Sequence, residues 1–337
     1  MSIQALADSL GISISTVSRA LNGYTDVSAA TRQRVFDAAK AMNYSPHPVA
    51  HRLATGKTGA VAIINSVRPG NLTDSSAVVL HTGVAEVLRE HKYFAMSLGI
   101  PMDDNEIPEL QRLLDGRIVD GIVLTRTRTH DPRVALLQER KIPFITHGRT
   151  IDNAPHAWVD TDNEGAFEQA TAALVALGHR RIGLINGMPH MTFAQLREQG
   201  FRKAVALAGL KEAACPVHYT ELTAQSGAHV AAHMLALPQA PTALLCATDA
   251  VALGAMQAIR EAGLAVGKDV SVMGYGNSEA GQFASPPLAS IDHALLDNGR
   301  HVAQLLMRLM AGENLSQLQQ LETPNLLMRA SVAPPTT

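Results

Sequence analysis

From Gly59 onward the chain alternates short unbroken apolar runs with amphipathic stretches, a pattern that leaves little besides parallel sheets covered by helices on both faces. Residues 60–64 precede a helix over 78–91, residues 94–98 precede one over 106–114, residues 121–124 precede one over 134–140, and an apolar run at 143–146 follows. The alternation then restarts. Helices over 166–177, 195–208, 227–236 and 250–262 lead into strands at 182–185, 216–219, 243–246 and 270–275. Two such blocks predict two doubly wound subdomains with a cleft between them, where ligands sit outside the carboxyl ends of the strands. At 337 residues the chain is too long for one compact core, so two or three domains are expected.

The first 44 residues follow a different rule. Ile3, Leu6, Ala7 and Leu10 share one face of a short helix, and Gly11 breaks it. A second helix opens at Ser13, whose hydroxyl can accept an orphan backbone N–H, and closes at Asn22-Gly23, where a positive φ is tolerated. With Val17 and Leu21 turned inward beside Leu6 and Leu10, the outer face carries Ile14, Ser15, Ser18 and Arg19. Such a face suits a DNA major groove: the Arg fork can bond guanine, the aliphatic chain can touch a thymine methyl, and hydroxyls can reach phosphates. By spacing alone, the alternative is a small three-helix structural module. A third amphipathic stretch over 28–43, capped by Ser28, buries Val35, Ala38, Ala39 and Met42 and completes the bundle. Residues 44–58 then combine a proline-fixed start, a short Ala-rich helical piece and an exposed Leu53.

The charge is unevenly spread. The whole chain is at −2, yet residues 1–60 sum to +3 and the remainder to −5. A small basic head on an acidic body is what phosphate contact by one domain needs, and the modest excess points to a dimer. With no basic n-region followed by an apolar run, and no stretch of 18 apolar residues, no export signal or membrane span is expected, and the chain should be cytoplasmic. Cys215 and Cys246, the only two cysteines, give no disulfide framework.

The stretches STVSRALNG, TRQRV and NYSP...A.RL.TGKTG resemble the DNA-binding domain and hinge helix of the LacI/GalR family of transcriptional regulators. Val119-Asp120-Gly121, Gly178-His179-Arg180-Arg181-Ile182, Pro241-Thr242-Ala243 and Val270–Tyr275 resemble its periplasmic-binding-protein-like core. The resemblance implies a helix-turn-helix three-helix domain over 1–44, a hinge helix and linker over 45–58, and an effector-binding and dimerisation core over 59–337. In that core one subdomain takes about 59–160 and 291–322, and the other about 161–290 and 323–337. It implies DNA contacts by Ser13, Ile14, Ser15, Thr16, Ser18, Arg19, Asn22 and Tyr44. Leu53 would wedge into a minor-groove step, the cost of unstacking being offset by the contacts that bent DNA permits. Pro48, in addition to Pro46, should mark the start of the hinge helix.

Polar residues gather at the predicted strand ends: Thr125, Arg126 and Thr127; His147, Gly148 and Arg149; Asp160 and Asp162; Met191, Thr192 and Phe193; then Arg197, Thr248, Asp249 and Asn277. Arg forks, carboxylate and amide acceptors and an aromatic face suit a sugar. Arg197 stands where the family has an effector-contacting Arg. Where the family's sugar binders carry Asp after Gly-Tyr, this chain has Gly276, which moves hydroxyl recognition onto Asn277 or Arg149. The stretches THDPR, HGR, DNEGAF and HMTFAQLREQGFR also resemble regulators of α-glucoside utilisation.

Other groupings take ordinary readings. Thr55-Gly56-Lys57-Thr58 lacks the first P-loop glycine and a preceding strand, and is a linker. His229 and His233 at i, i+4 have no third ligand nearby, and no GxSxG nucleophile accompanies the 14 histidines. Asp160 and Asp162, before a helix, suit capping or ligand binding better than glycosidase chemistry. The expectation is a repressor of a sugar-utilisation operon, not an enzyme. It would need no cofactor or metal and would bind double-stranded palindromic operator DNA as a homodimer, with a tetramer left open. The alternative is a sugar-binding protein or glycoside-handling enzyme whose N-terminal module only mediates association.

Overall fold

The computed structural model describes residues 2–44, 56–67, 75–101, 106–152 and 155–336, and the chain divides into two compact units. The first comprises Met1–Ala60 with Gly116–Asp120, and the second Val61–Asp115 with Gly121–Thr337.

In the first unit, helices α1 (Ile3–Leu10), α2 (Ile14–Leu21) and α3 (Ala29–Ala41) each open on a serine whose hydroxyl accepts a backbone N–H: Ser2 from Ala5, Ser13 from Thr16 and Ser28 from Thr31. Gly23, at φ +75°, lets the chain turn after α2. Leu6, Ala7, Val17, Ala20, Val27, Val35 and Ala39 form the core. Leu10, Leu21, Ala38 and Met42, expected inside, are only partly buried. The small Ala7 and Ala20 take the central places, because a short side chain lets two helices approach where a leucine would hold them apart. The Asp120 carboxylate accepts from the backbone N–H groups of Thr58 and Gly59, both at 2.8 Å. The expected hinge helix, with Pro46, Pro48 and Leu53, lies outside the described residues.

The second unit is built on two six-stranded sheets. The strands are β1 (Ala60–Val67), β2 (Phe94–Pro101), β3 (Gly121–Leu124), β4 (Phe144–His147), β5 (Ala157–Thr161), β6 (Ile182–Asn186), β7 (Val217–Tyr219), β8 (Ala243–Cys246), β9 (Ser271–Tyr275), β10 (Ala289–Asp292), β11 (Gln319–Glu322) and β12 (Asn325–Leu327). The first sheet runs β11-β5-β4-β3-β1-β2 and the second β12-β10-β9-β8-β6-β7. Each of β3, β6, β8 and β9 is buried along its whole length, as unbroken apolar strands between helical layers must be. Helices α4 (Ser75–Glu90) and α12 (Leu295–Met310) cover the first sheet together with α5 (Glu106–Asp115) and α6 (Pro132–Glu139). The second is covered by α7 (Asn163–Ala176), α8 (Thr192–Leu207), α9 (Ala224–Leu235) and α10 (Asp249–Glu261), with the short α11 (Glu279–Gln282) beyond β9.

The chain passes between the sheets three times: after β5, after β10, and between β11 and β12. The passages are tied together. Asp162 N donates to the Glu322 carbonyl at 2.8 Å, and Asn298 of α12 donates to the His293 carbonyl at 3.0 Å and to Thr161 Oγ1 at 3.4 Å. Among the described residues no helix is long and apolar enough to cross a membrane. Both cysteines are buried free thiols.

Candidate functional site

On α2, Ser13, Ile14, Ser15 and Arg19 are exposed together on one face, while Thr16, Ser18 and Asn22 are half-buried beside it. The Ser13 hydroxyl caps the helix and lies 2.8 Å from both Ser15 Oγ and Thr16 Oγ1. Arg19 is held by Asp26. Tyr44 packs against the three-helix core. This face offers one guanidinium, one aliphatic chain and short hydroxyls to whatever approaches it.

The second candidate lies in the larger unit, where the two sheets bring their strand ends together around Arg197. This residue, on α8, is almost fully buried. Its Nε donates to Asn163 Oδ1 at 2.8 Å and its Nη1 to the Ala247 carbonyl at 2.6 Å. Its guanidinium carbon lies 3.7 Å from the Tyr275 ring centre, 4.6 Å from that of Phe193 and 5.2 Å from that of Phe167. Asn163 also donates to Asp160 Oδ1 at 3.2 Å, so one amide bridges the cation of one wall to the carboxylate of the other. Arg149 Nε stands 3.3 Å from Asp160 Oδ2, with its guanidinium over the Trp158 ring.

Four buried polar atoms in this region make no hydrogen bond among the described residues: His147 Nε2, Thr192 Oγ1, His293 Nδ1 and Asp160 Oδ2, the last held by the Arg149 ion pair. Buried polar atoms are ordinarily bonded, so a cluster of orphans marks a surface shaped for something polar. They come from the end of β4, from β5, from the first residue of α8 and from the passage after β10. Burial lowers the His147 pKa to about 4. Burial lowers that of His293 to about 3, helped by the neighbouring His147 and Arg197 charges. Burial raises that of Asp160 to about 6, with Arg149 opposing. The site thus presents two neutral imidazoles, each with a donor and an acceptor nitrogen, beside a carboxyl and a guanidinium.

Across the rim, the loop after β3 meets the loop before α8. Thr192 N donates to the Thr127 carbonyl and Thr129 N to the His190 carbonyl, both at 3.1 Å, and Arg128 bridges to Met191. The β3 loop is held from below by Arg133, which is fully buried. Its Nε and Nη2 donate to Asp131 at 2.9 and 2.6 Å, and Nη2 also reaches the Thr125 and Arg126 carbonyls at 3.2 and 3.1 Å. Glu106 stands 3.5 Å from its Nη1 and is paired with Arg128. Burial alone would raise the Asp131 pKa, but the Arg133 charge and hydrogen bond hold it below the usual range.

Several residues selected from the sequence are used within the chain. The Thr125 hydroxyl donates to the Ile64 carbonyl and that of Thr127 to the Arg149 carbonyl, both at 3.1 Å. Thr248 caps α10, and Asp162 caps α7. Asn277 donates to Asp292 Oδ2 at 2.9 Å and accepts from Arg329 at 2.6 Å, so both ends of its amide are occupied. One N–H and one lone pair of that amide remain for a ligand. Asp249 accepts from Ser278 N and Ser290 Oγ, both at 2.6 Å. Gly276, at φ +127°, sits where a Cβ would lie 3.9 Å from Asp249 Oδ2. At this backbone conformation an aspartate would be strained, and it would stand beside a second carboxylate. Met191, Phe193, Arg149 and Asp160 do stand around Arg197 or on its helix. Asn163, Tyr275 and His293 also belong to this site and carry no sequence signal beyond following or ending a strand. His233 lies edge-on to His218 with ring centres 5.3 Å apart.

Comparison with known proteins gives one consistent picture. Residues 2–47 match the family profile "Bacterial regulatory proteins, lacI family", and residues 171–332 match the "Periplasmic binding protein-like domain". The HTH-type transcriptional regulator AglR of Rhizobium meliloti (strain 1021) is 36% identical over 339 residues, covering 99% of this chain and 95% of the relative. The structure of a transcriptional regulator CelR–cellobiose complex is 30% identical with a TM-score of 0.76, covering 98% of this chain and 99% of that one. That of the lac repressor dimer bound to operator and the anti-inducer ONPF is 26% identical with a TM-score of 0.84, covering 99% of both chains.

Proposed function

The chain belongs to the lacI family of bacterial regulatory proteins, and from that premise we propose that it represses a sugar-utilisation operon by binding a palindromic operator as a homodimer, with a neutral glycoside as effector. It is a DNA-binding transcriptional regulator and not an enzyme. In this reading residues 1–44 read the operator, residues 45–58 form the hinge, and residues 59–337 bind effector and partner subunit. That core is divided at about 160, 290 and 322. The protein acts where its operator is, in the cytoplasm.

The observation that carries the effector class is the group of orphaned atoms on His147, Thr192 and His293 beside the ion-paired Asp160, around Arg197. Neutral imidazoles and a hydroxyl bond sugar hydroxyls in both directions, the Asp160 carboxylate accepts from them, and Phe193 and Trp158 offer rings to the apolar face of a pyranose. A phosphate would bring two negative charges beside the buried Asp160, which disfavours a sugar phosphate. The resemblance of residues 129–133, 147–149 and 190–202 to α-glucoside regulators favours an α-linked glucoside. The homodimer is supported by apolar side chains left in water, among them Val78 and Val79 on α4, Phe94 on the edge strand β2, and Phe283 after α11. Effector binding would re-angle the two sheets about the three tied passages and shift operator affinity, allosteric couplings typically being about 1–3 kcal/mol.

A thermal-shift panel of maltose, trehalose, sucrose, cellobiose, glucose 6-phosphate and hypoxanthine tests this, because a ligand that binds only the folded state raises the melting temperature. An α-glucoside should raise it, and that sugar should change the mobility shift of a duplex enriched by the protein from a randomised pool. A response to hypoxanthine or glucose 6-phosphate alone would overturn the effector class. The absence of any enriched duplex would overturn the regulator reading.

A further inference from the structure

Arg19 is the one cation on the exposed face of α2, and it is gripped from the side. Its Nε donates to Asp26 Oδ1 at 3.2 Å and its Nη2 meets Asp26 Oδ2, so each carboxylate oxygen takes one N–H. The Tyr24 ring lies 5.1 Å from the guanidinium carbon. The turn that carries Tyr24 and Asp26 is itself fastened. Tyr24 N donates to the Arg19 carbonyl at 3.0 Å, and Arg32 of α3 donates to the Tyr24 and Val27 carbonyls at 2.8 and 3.3 Å.

A guanidinium carries five N–H donors in one rigid plane. Asp26 takes the Nε hydrogen and one Nη2 hydrogen. The outer edge keeps the second Nη2 hydrogen and the Nη1 pair, and that edge is the parallel pair of donors that guanine O6 and N7 accept together. Both side chains remain about half exposed, at 50% and 52%, so the pair adds little to folding stability. A carboxylate is also adverse on a face that approaches phosphates. Its presence there is accounted for if it acts on the arginine.

We propose that Asp26 is a positioning residue for base readout, a buttress that turns the outer edge of Arg19 toward guanine before DNA arrives. The reasoning rests on Arg19 contacting a base. Pre-ordering a long side chain removes part of the conformational cost of binding, and it does so only for the duplex whose guanine meets that edge.

The test uses the full chain, the duplex that it enriches from a randomised pool, and a scrambled duplex of equal length. Asp26→Ala should bind the enriched duplex about tenfold more weakly while binding the scrambled one as well as or better than wild type, since a negative charge has gone. Asp26→Asn, which keeps one acceptor and nearly the same volume, should fall between the two. Replacing the contacted guanine by 7-deazaguanine should weaken the wild-type complex, weaken the Asp26→Ala complex less, and leave Arg19→Ala unaffected. If Arg19→Ala loses equally on both duplexes, the base-contact premise fails. If Arg19→Ala loses selectively but Asp26→Ala tightens both duplexes by one factor, the premise stands and the buttress is overturned. Equal loss on both duplexes in Asp26→Ala, with a lower melting temperature, would make the contact structural and overturn it too.

Discussion

Arg197 and Tyr275 are stacked, with the guanidinium carbon 3.7 Å from the ring centre and the Arg edge bonded to Asn163 and to the Ala247 carbonyl. The cation is thus fixed by three elements of the second subdomain before any ligand is present. Arg197→Ala strands two buried acceptors and is expected to lower stability by about 2 kcal/mol in urea unfolding, and to abolish the effector-induced rise in melting temperature. Arg197→Lys should not restore the response, because a single ammonium cannot serve both acceptors and stack on the ring.

Asp160 gives a pH dependence of definite sign. Its pKa is raised to about 6 from an ordinary 3.8, so the fold prefers the protonated acid. That contribution is fully present below pH 3.8 and is lost as pH rises through 6. Asp160→Asn, neutral throughout, should therefore be more stable than wild type at pH 7.5, by at most about 3 kcal/mol in unfolding free energy, and lose the advantage toward pH 4. His147 and His293, lowered to about 4 and 3, act oppositely: their contribution is present above pH 6.5 and is lost as pH falls through those values. Comparing variant and wild type at each pH cancels the histidines. An advantage that does not change between pH 4 and pH 7.5 would contradict the burial argument.

The rim contact can be removed without disturbing the helix it belongs to. Thr192 is the first residue of α8, where proline is accepted, and Met191 before it is extended at φ −83°, ψ 131°. Thr192→Pro removes the N–H that reaches the Thr127 carbonyl. The expected loss in unfolding free energy is about 1 kcal/mol, with weaker effector binding by calorimetry. Thr192→Ala keeps that N–H and should lower effector affinity alone, if the orphaned hydroxyl bonds the ligand.

Arg133 should be among the costliest positions in the core. Arg133→Met leaves Asp131 buried without its cation and Glu106 with Arg128 alone, and breaking such a pair typically costs about 3–5 kcal/mol. Adding Asp131→Asn should recover part of the loss in guanidinium unfolding curves.

What could be read from the sequence was what local physics determines. The three N-terminal helices announce themselves by serine caps, a glycine turn and helical periodicity, and β1–β4 and β6–β9 by unbroken apolar runs. β5, β10, β11 and β12 mix polar with apolar residues, as in Ala-Ser-Ile-Asp of β10, and no periodicity marks them. The effector cleft was half legible for the same reason. Arg197 came from resemblance, whereas His293 and Tyr275 join it only because the chain returns twice to one place. Thr125, Thr248 and Asn277 look like ligand groups in a linear sequence. Only their partners, Ile64, Val251 and Asp292 with Arg329, reveal that they bond the chain itself.

The triple passage between sheets has a consequence for biosynthesis. The strand beside β5 is supplied by residues 319–322 and the strand beside β10 by residues 325–327. While the ribosome is still translating the helix at 295–310, both sheets therefore present an unpaired edge, the kind of surface on which nascent chains aggregate. β11 and β12 then take over as short edge strands, so a premature stop anywhere before residue 319 would leave β5 and β10 as the edges of their sheets.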